Sequence, residues 1–435
     1  MSTKVKRKFF TLGINRRGIN LSQAELDILL FLYEHRTLTA PQMYRILANK
    51  EPSMKFPTFR RRLSQKYIKY DVVAAEQYSL GQKGFNFNYY RISHTGLDIL
   101  MSEGLLTEDK HRYQMKRLAT MKHVDHYLTI QEVVTSIIAK GLEHDKPLRS
   151  IRPLEYLGND QISSKDTVVP DWVIGYNDTY LMIELDMGTE QLSLVDEKIL
   201  KYKQEALQNP DKTYKVLVVE LDESMNLRFV PSNRERRVGN MKQKLMYSKA
   251  LGVENLDVYV MPLYRAYELG YKLLMGDRPY TKAFIEGDMQ HLLKNLNANS
   301  IFGFTLEPIM DEFVYIPSPN YPVRADMVCH LVNEAGHYIE TIMFLFIEEG
   351  SVESMATLDL LNEYVKKGLT QVPIQRIIAI YENEEEMNGD IIGIDYKNVY
   401  FGNSASYGYT GQEPTFYRLV SPYRKEGRAL LEWKY

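Results

Sequence analysis

The chain has 435 residues, 44% apolar and 25% charged, with a single cysteine. One cysteine excludes an intrachain disulfide and a cysteine-built zinc site, and suits a reducing compartment. No apolar run approaches the length of about 18 residues that spans a bilayer, and the basic N-terminus MSTKVKRKFFTLGINRRG lacks a signal peptide's apolar core, so a cytoplasmic protein with no membrane partner is expected.

The net charge of −2 conceals a division: Met1 to Lys122 holds 22 Lys/Arg against 10 Asp/Glu, and the remainder holds 32 against 46. A basic first segment suits a polyanion, and docking on the acidic body of the same molecule is the alternative. Leu21 to His35 has helical periodicity, with Ser22 as N-cap and Glu25 three residues on. Ala40 to Leu47 reads as a second helix with Pro41 in its first turn. A third begins at Pro57–Thr58, exposing Arg60, Arg61, Arg62 and Lys66 while burying Phe59, Leu63 and Tyr67. A strand at Val72–Val73, a glycine turn, the strand FNYYRIS and the helix LDILMSEGLL follow. Helix, helix, basic helix and hairpin resembles a winged helix over Leu21 to Leu106. That resemblance implies a third helix in the DNA major groove, with Lys83 and Arg91 of the wing on phosphate. Winged helices also serve as protein-docking modules, which is the competing reading.

Thr107 to Lys122 reads as a basic connector, and His123 to Lys140 as a long helix with His126, Ile130 and Val133–Val134 on one side. A strand or edge segment at Leu148 to Leu157 and a polar loop then lead to Val169–Tyr202. There a strand from Asp171 to Tyr176 turns at Asn177–Asp178 into a second strand, Tyr180 to Leu185. It ends around Glu184 and Asp186, and a helix carrying Lys198 follows. Carboxylates at one sheet end with an ammonium on the next helix suit hydrolysis assisted by a divalent metal; solvated turn residues are the plain alternative. Tyr214 to Val219 reads as a buried strand.

Helix, strand, strand, strand, helix, strand, with Pro170–Asp171 and Glu184–Leu185–Asp186, resembles the restriction-endonuclease-like, or PD-(D/E)xK, nucleases. The resemblance implies Asp171 and Glu184 as ligands of Mg²⁺ or Mn²⁺, Glu132 as an auxiliary ligand and Asp186 as a further carboxylate. Lys198 stands in for the motif lysine, which this chain replaces with Asp186. Behind a winged helix, HVDHYLTIQEVV, PDWVI, LMIELDMGTE and DEKILKY resemble the replication-relaxation proteins and the non-tyrosine plasmid relaxases over residues 20 to 222.

The C-terminal half echoes this pattern. VRADMVCHLVNEAGHYIETIMFLFIEEGS parallels VPDWVIGYNDTYLMIELDMGT, with Asp326 for Asp171, Phe346 for Glu184, Glu348 for Asp186 and Leu360 for Lys198. The second copy is therefore expected to lack a working site; two unrelated α/β segments with similar apolar runs are the alternative. The expected class is α+β and multidomain: a winged helix (1–106), basic connector (107–122), nuclease-like core (123–230), basic loop and helical connector (231–300), degenerate copy (301–400) and Tyr/Gly-rich tail (401–435). The basic NRERRVGNMKQK loop is open to DNA or a partner. The expected function is metal-dependent nicking of double-stranded origin or transfer-site DNA, with single-stranded DNA and conjugation or replication proteins as further partners. A non-catalytic regulator using the nuclease fold as scaffold, and an interaction protein of the conjugation machinery, are the rivals. A tyrosine nucleophile is disfavoured because the nine histidines are scattered.

Overall fold

The basic N-terminal stretch, read above only for its charge, forms a hairpin. Strand β1, Arg7–Leu12, pairs antiparallel with β2, Arg17–Ser22. Phe10, Ile19 and Leu21 supply its buried side. In the computed structural model the described residues are 6–12, 17–79, 86–107, 123–157, 167–188, 190–225, 227, 234–277, 282–297, 302–316, 323–407, 414–421 and 424–430. Lys83, most of the basic connector and the loop from Gly158 to Asp166 lie outside them. The chain divides into two units. The first comprises Met1–Met187, Leu221–Pro231 and Leu263–Tyr271; the second comprises Gly188–Glu220, Ser232–Pro262 and Lys272–Tyr435.

In the first unit, Ser22 and Glu25 form the expected capping box and start α1, Gln23–Glu34. A second box, Thr39 with Gln42, follows the short strand β3, Leu38–Thr39, and starts α2, Ala40–Lys50, with Pro41 in its first turn. Helix α3, Phe56–Arg62, runs into a wide π-helical turn, Leu63–Ile68. Strands β4, Val73–Tyr78, and β5, Phe87–Ile92, then form a hairpin, and β3 completes a sheet ordered β3-β5-β4. Helix α4, His94–Ser102, closes the module; Gly96 faces the Val72 carbonyl, leaving no room for a side chain.

Helix α5, Val124–Glu143, is bolted to this module by polar groups as well as by packing. Gln42, Arg45 and Asn49 recur at helical spacing on α2. Gln42 Nε2 donates to the Leu128 carbonyl (2.9 Å), Arg45 reaches Glu132 (2.5 Å) and Thr135 (3.0 Å), and Asn49 donates to the Ala139 carbonyl (3.3 Å). His35, wholly buried, lies with Nδ1 2.6 Å from Gln131 Oε1 and Nε2 3.1 Å from Ser150 Oγ, and stacks on Phe31 and Trp172. Beyond α5 come β6, Arg149–Ile151, a one-turn helix α6, Pro153–Tyr156, and the antiparallel strands β7, Trp172–Tyr176, and β8, Thr179–Asp186; β6 pairs antiparallel with β7.

The second unit begins with α7, Leu192–Gln208, then β9, Thr213–Glu220, α8, Arg234–Leu245, and β10, Leu256–Pro262, which pairs parallel with β9. Helix α9, Leu263–Met275, belongs to the first unit as far as Tyr271, and α10, Lys282–Asn297, follows in the second. Next come β11, Phe304–Pro308, α11, Asp311–Val314, β12, Met327–Asn333, and β13, Tyr338–Ile347. Helix α12, Val352–Lys366, strand β14, Arg376–Tyr381, helix α13, Glu384–Ile391, and strand β15, Val399–Asn403, follow. The stretch read as a tail adds β16, Phe416–Ser421, and β17, Arg424–Arg428, to a seven-stranded sheet ordered β11 to β17. The expected connector likewise contains a buried core strand, β10.

Two cations of the basic stretch in α8 are spent internally, while Arg236 and Lys244 stay exposed. Lys242 is fully buried between Glu386 (2.6 Å) and Asp390 (2.8 Å) of α13, and the backbones approach so closely that a Cβ on Gly239 would lie 2.3 Å from the Gly389 carbonyl oxygen. Arg237 donates to the Glu190 carbonyl (2.7 Å) and pairs with Glu220.

The echo in the sequence is a repeat of elements. From α5 to β10 the order is helix, strand, helix, strand, strand, helix, strand, helix, strand; from α10 to β15 it is the same. In each half the first three strands pair antiparallel, and β9–β10 and β14–β15 pair parallel.

Candidate functional site

Asp171 stands one residue before β7 and clasps the neighbouring strand. Its N–H donates to the Ile183 carbonyl (3.1 Å), and its Oδ2 accepts the Leu185 N–H (2.9 Å). Side chains alternate along a strand, so Glu184 and Asp186 share one face of β8, beside that clasp. Both are buried, at 4% and 2% exposure. His126, from the first turns of α5, brings Nε2 to 3.3 Å from Asp171 Oδ2. Burial pushes its pKa down, but the Asp171 hydrogen bond and charge, the Leu185 backbone and the Glu184 charge outweigh that and hold it above the ordinary histidine value. The sequence placed His126 on the apolar side of a helix; nothing in the periodicity marked its approach to Asp171.

The repeat makes the same clasp. Asp326 N–H donates to the Phe344 carbonyl (3.0 Å), and Oδ2 accepts the Phe346 N–H (2.7 Å). Phe346 therefore corresponds to Leu185, which corrects the sequence alignment by one residue: Leu345 takes the place of Glu184 and Ile347 that of Asp186. The extra residue falls after the strand, where Glu348 and Glu349 precede Gly350. The left-handed Gly350 (φ 74°) matches the left-handed Gly188 (φ 82°). Leu345 and Ile347 are as buried as the carboxylates they replace, at 4% and 1%.

The other expected site residues, Glu132 and Lys198, each make an ion pair. Glu132 gives one oxygen to Arg45 and the other to Gln42. Lys198 lies in the second unit, on α7, with Nζ 3.2 Å from Glu190. Among the described residues no group of three or more His, Cys, Asp and Glu side chains is arranged to hold a metal ion. The carboxylate donors have the right chemistry for a hard divalent cation, but they are not preassembled around one.

The cations expected to meet DNA separate into two sets. Arg62 points inward: its Nε donates to Glu25 Oε1 (2.6 Å), and a terminal nitrogen reaches the Asn20 carbonyl (3.1 Å). Glu25 also receives Arg7 (2.7 Å), the Ser22 N–H (2.8 Å) and the Tyr67 hydroxyl, so one buried carboxylate ties the hairpin, α1 and α3 together. Lys66 is half-buried beside this cluster; burial and the charges of Arg62 and Arg7 lower its pKa. Arg91 pairs with Glu76 across the β4–β5 hairpin (2.8 Å). Arg60 and Arg61 are exposed, Arg60 lying 5.9 Å from the Phe56 ring centre.

The class is thus an α+β protein with mixed sheets, in which a basic helical module is locked to a carboxylate-bearing strand pair. Residues 29–219 match the family model described as replication-relaxation, so the resemblance seen in the sequence holds over that segment. No curated protein and no solved structure matches the chain. No helix among the described residues is long and apolar enough to cross a membrane.

Proposed function

We propose that the chain is a DNA-processing protein of a plasmid or integrative element. In this reading the α1–α4 module acts as a winged helix that recognises duplex DNA at an origin or transfer site. Asp171, Glu184 and Asp186 form an endonuclease-like carboxylate site that nicks it with Mg²⁺ or Mn²⁺. The observation that carries the reading is the contrast between the two copies. Burying two carboxylates is costly, and the repeat fills the same two positions with Leu345 and Ile347, so this order of elements does not by itself call for carboxylates there. A cost kept in one copy and absent from the other supports a chemical role. The ion supplies charge neutralisation and an activated water at such sites; the chain's own part is to present carboxylate oxygens and exclude bulk water.

A second reading, a non-catalytic DNA-binding regulator, is favoured by one observation: Glu132 and Lys198 are held in ion pairs, and no three donors are preassembled among the described residues. Mg²⁺ or Mn²⁺ titrated into wild type and Glu184→Ala, with supercoiled plasmid carrying the cognate element, separates the two. Metal-dependent open-circle product from wild type only supports the nuclease. No product from either protein, or equal product from both, supports the scaffold.

A further inference from the structure

The third helix reads in the sequence as one basic face opposite one apolar face, but in the fold it has three chemically different faces. Phe59, Leu63 and Tyr67 are buried. Arg62 and Lys66 belong to the side turned towards Glu25 and Arg7. Arg61, Gln65 and Lys69 are exposed. In a regular helix, residues four apart drift round the axis, because a turn takes about 3.6 residues. The wide turn at Leu63–Ile68 takes more residues per turn, which keeps positions four apart nearly in line. Arg61, Gln65 and Lys69 therefore form one row, opposite the buried row of Phe59, Leu63 and Tyr67.

We propose that Arg61 and Gln65 read bases in the major groove while Lys69 holds phosphate; this rests on the DNA-recognition reading above. The row combines a planar guanidinium, a planar amide and a point charge. A guanidinium matches the two acceptors on a guanine edge, and a carboxamide matches the acceptor and donor on an adenine edge. A lysine at the end of the row gains from any phosphate without regard to sequence. Arg61 and Gln65 lie roughly 6 Å apart along the helix axis, against about 3.4 Å per base step. The recognised site should therefore contain a guanine and an adenine one or two positions apart. Duplex RNA is excluded as the partner, because its major groove is too narrow for side chains to read.

The test is selection from a random-sequence duplex DNA library with the full chain, repeated with Arg61→Ala, Gln65→Ala and Lys69→Ala. All three positions are exposed, and an unchanged melting temperature checks each fold. Wild type should enrich a motif containing both bases. Arg61→Ala should relax only the guanine position and Gln65→Ala only the adenine position, each losing about ten-fold or more in discrimination there. Lys69→Ala should bind every sequence more weakly and shallow the log–log salt dependence by about one. An unchanged motif in both Arg61→Ala and Gln65→Ala overturns the base-reading pair and leaves DNA recognition standing. A wild type that enriches no motif overturns the pair and the recognition reading together.

Discussion

At the scale of single residues, the environment of a titratable group decides what the sequence leaves open. His35 and His126 are alike in the sequence, and the fold sends them in opposite directions. Burial lowers the His35 pKa from 6.5 to about 4, whereas Asp171 raises that of His126. For His35 the unfolded chain binds the proton more readily between these two values. Its contribution to stability is therefore fully present above pH 6.5 and lost as pH falls towards about 4. The loss should reach about 3 kcal/mol at the lower end. Denaturant titrations across that range should show it, and His35→Gln should flatten the slope. The carboxylates of β8 were legible because strand alternation and the polar turn before them are local signals. That Glu132 serves Arg45 and Gln42 was not, since those partners lie about 90 positions away.

At the scale of elements, the helix starts were visible because capping is local: Ser22 with Glu25 is a three-residue pattern that the backbone satisfies directly. The wide turn of the third helix was hidden, and with it the sorting of its cations, because Arg62 is turned by a carboxylate 37 positions earlier. The α8–α13 contact was equally hidden. The basic stretch there buries Lys242, and the approach of the two helices depends on Gly239. A methyl group there meets the Gly389 carbonyl oxygen at 2.3 Å. Gly239→Ala should therefore destabilise the second unit by about 1–3 kcal/mol, as overpacking does. Calorimetric unfolding measures this; a melting temperature equal to that of wild type would show that the helices can separate without loss.

At the scale of the whole molecule, the repeat protects a sheet edge. The Val260 N–H donates to the Gly350 carbonyl (2.9 Å), and the Val258 N–H donates to the Glu353 carboxyl (3.2 Å), so the segment after β13 covers β10. Burial, with Asp257 nearby, pushes the Glu353 pKa up to about 8. A chain ending at residue 277 would leave that apolar edge unpaired and should aggregate, whereas the full chain should not; light scattering at equal concentration distinguishes them.

By itself, the sequence determined the main elements from α1 to β9, the capping of the first helix, the basic first segment, the carboxylate pair of β8 and the recurrence of a similar pattern in the C-terminal half. Each follows from periodicity, local hydrogen bonding or composition, which act over a few residues. The tertiary structure alone decided the register of that copy, through the two aspartate clasps that put Leu345 and Ile347 where Glu184 and Asp186 stand. It also decided which cations face outward, which carboxylates are spent on ion pairs and which histidine meets Asp171. These depend on pairings between distant positions, which no local pattern encodes.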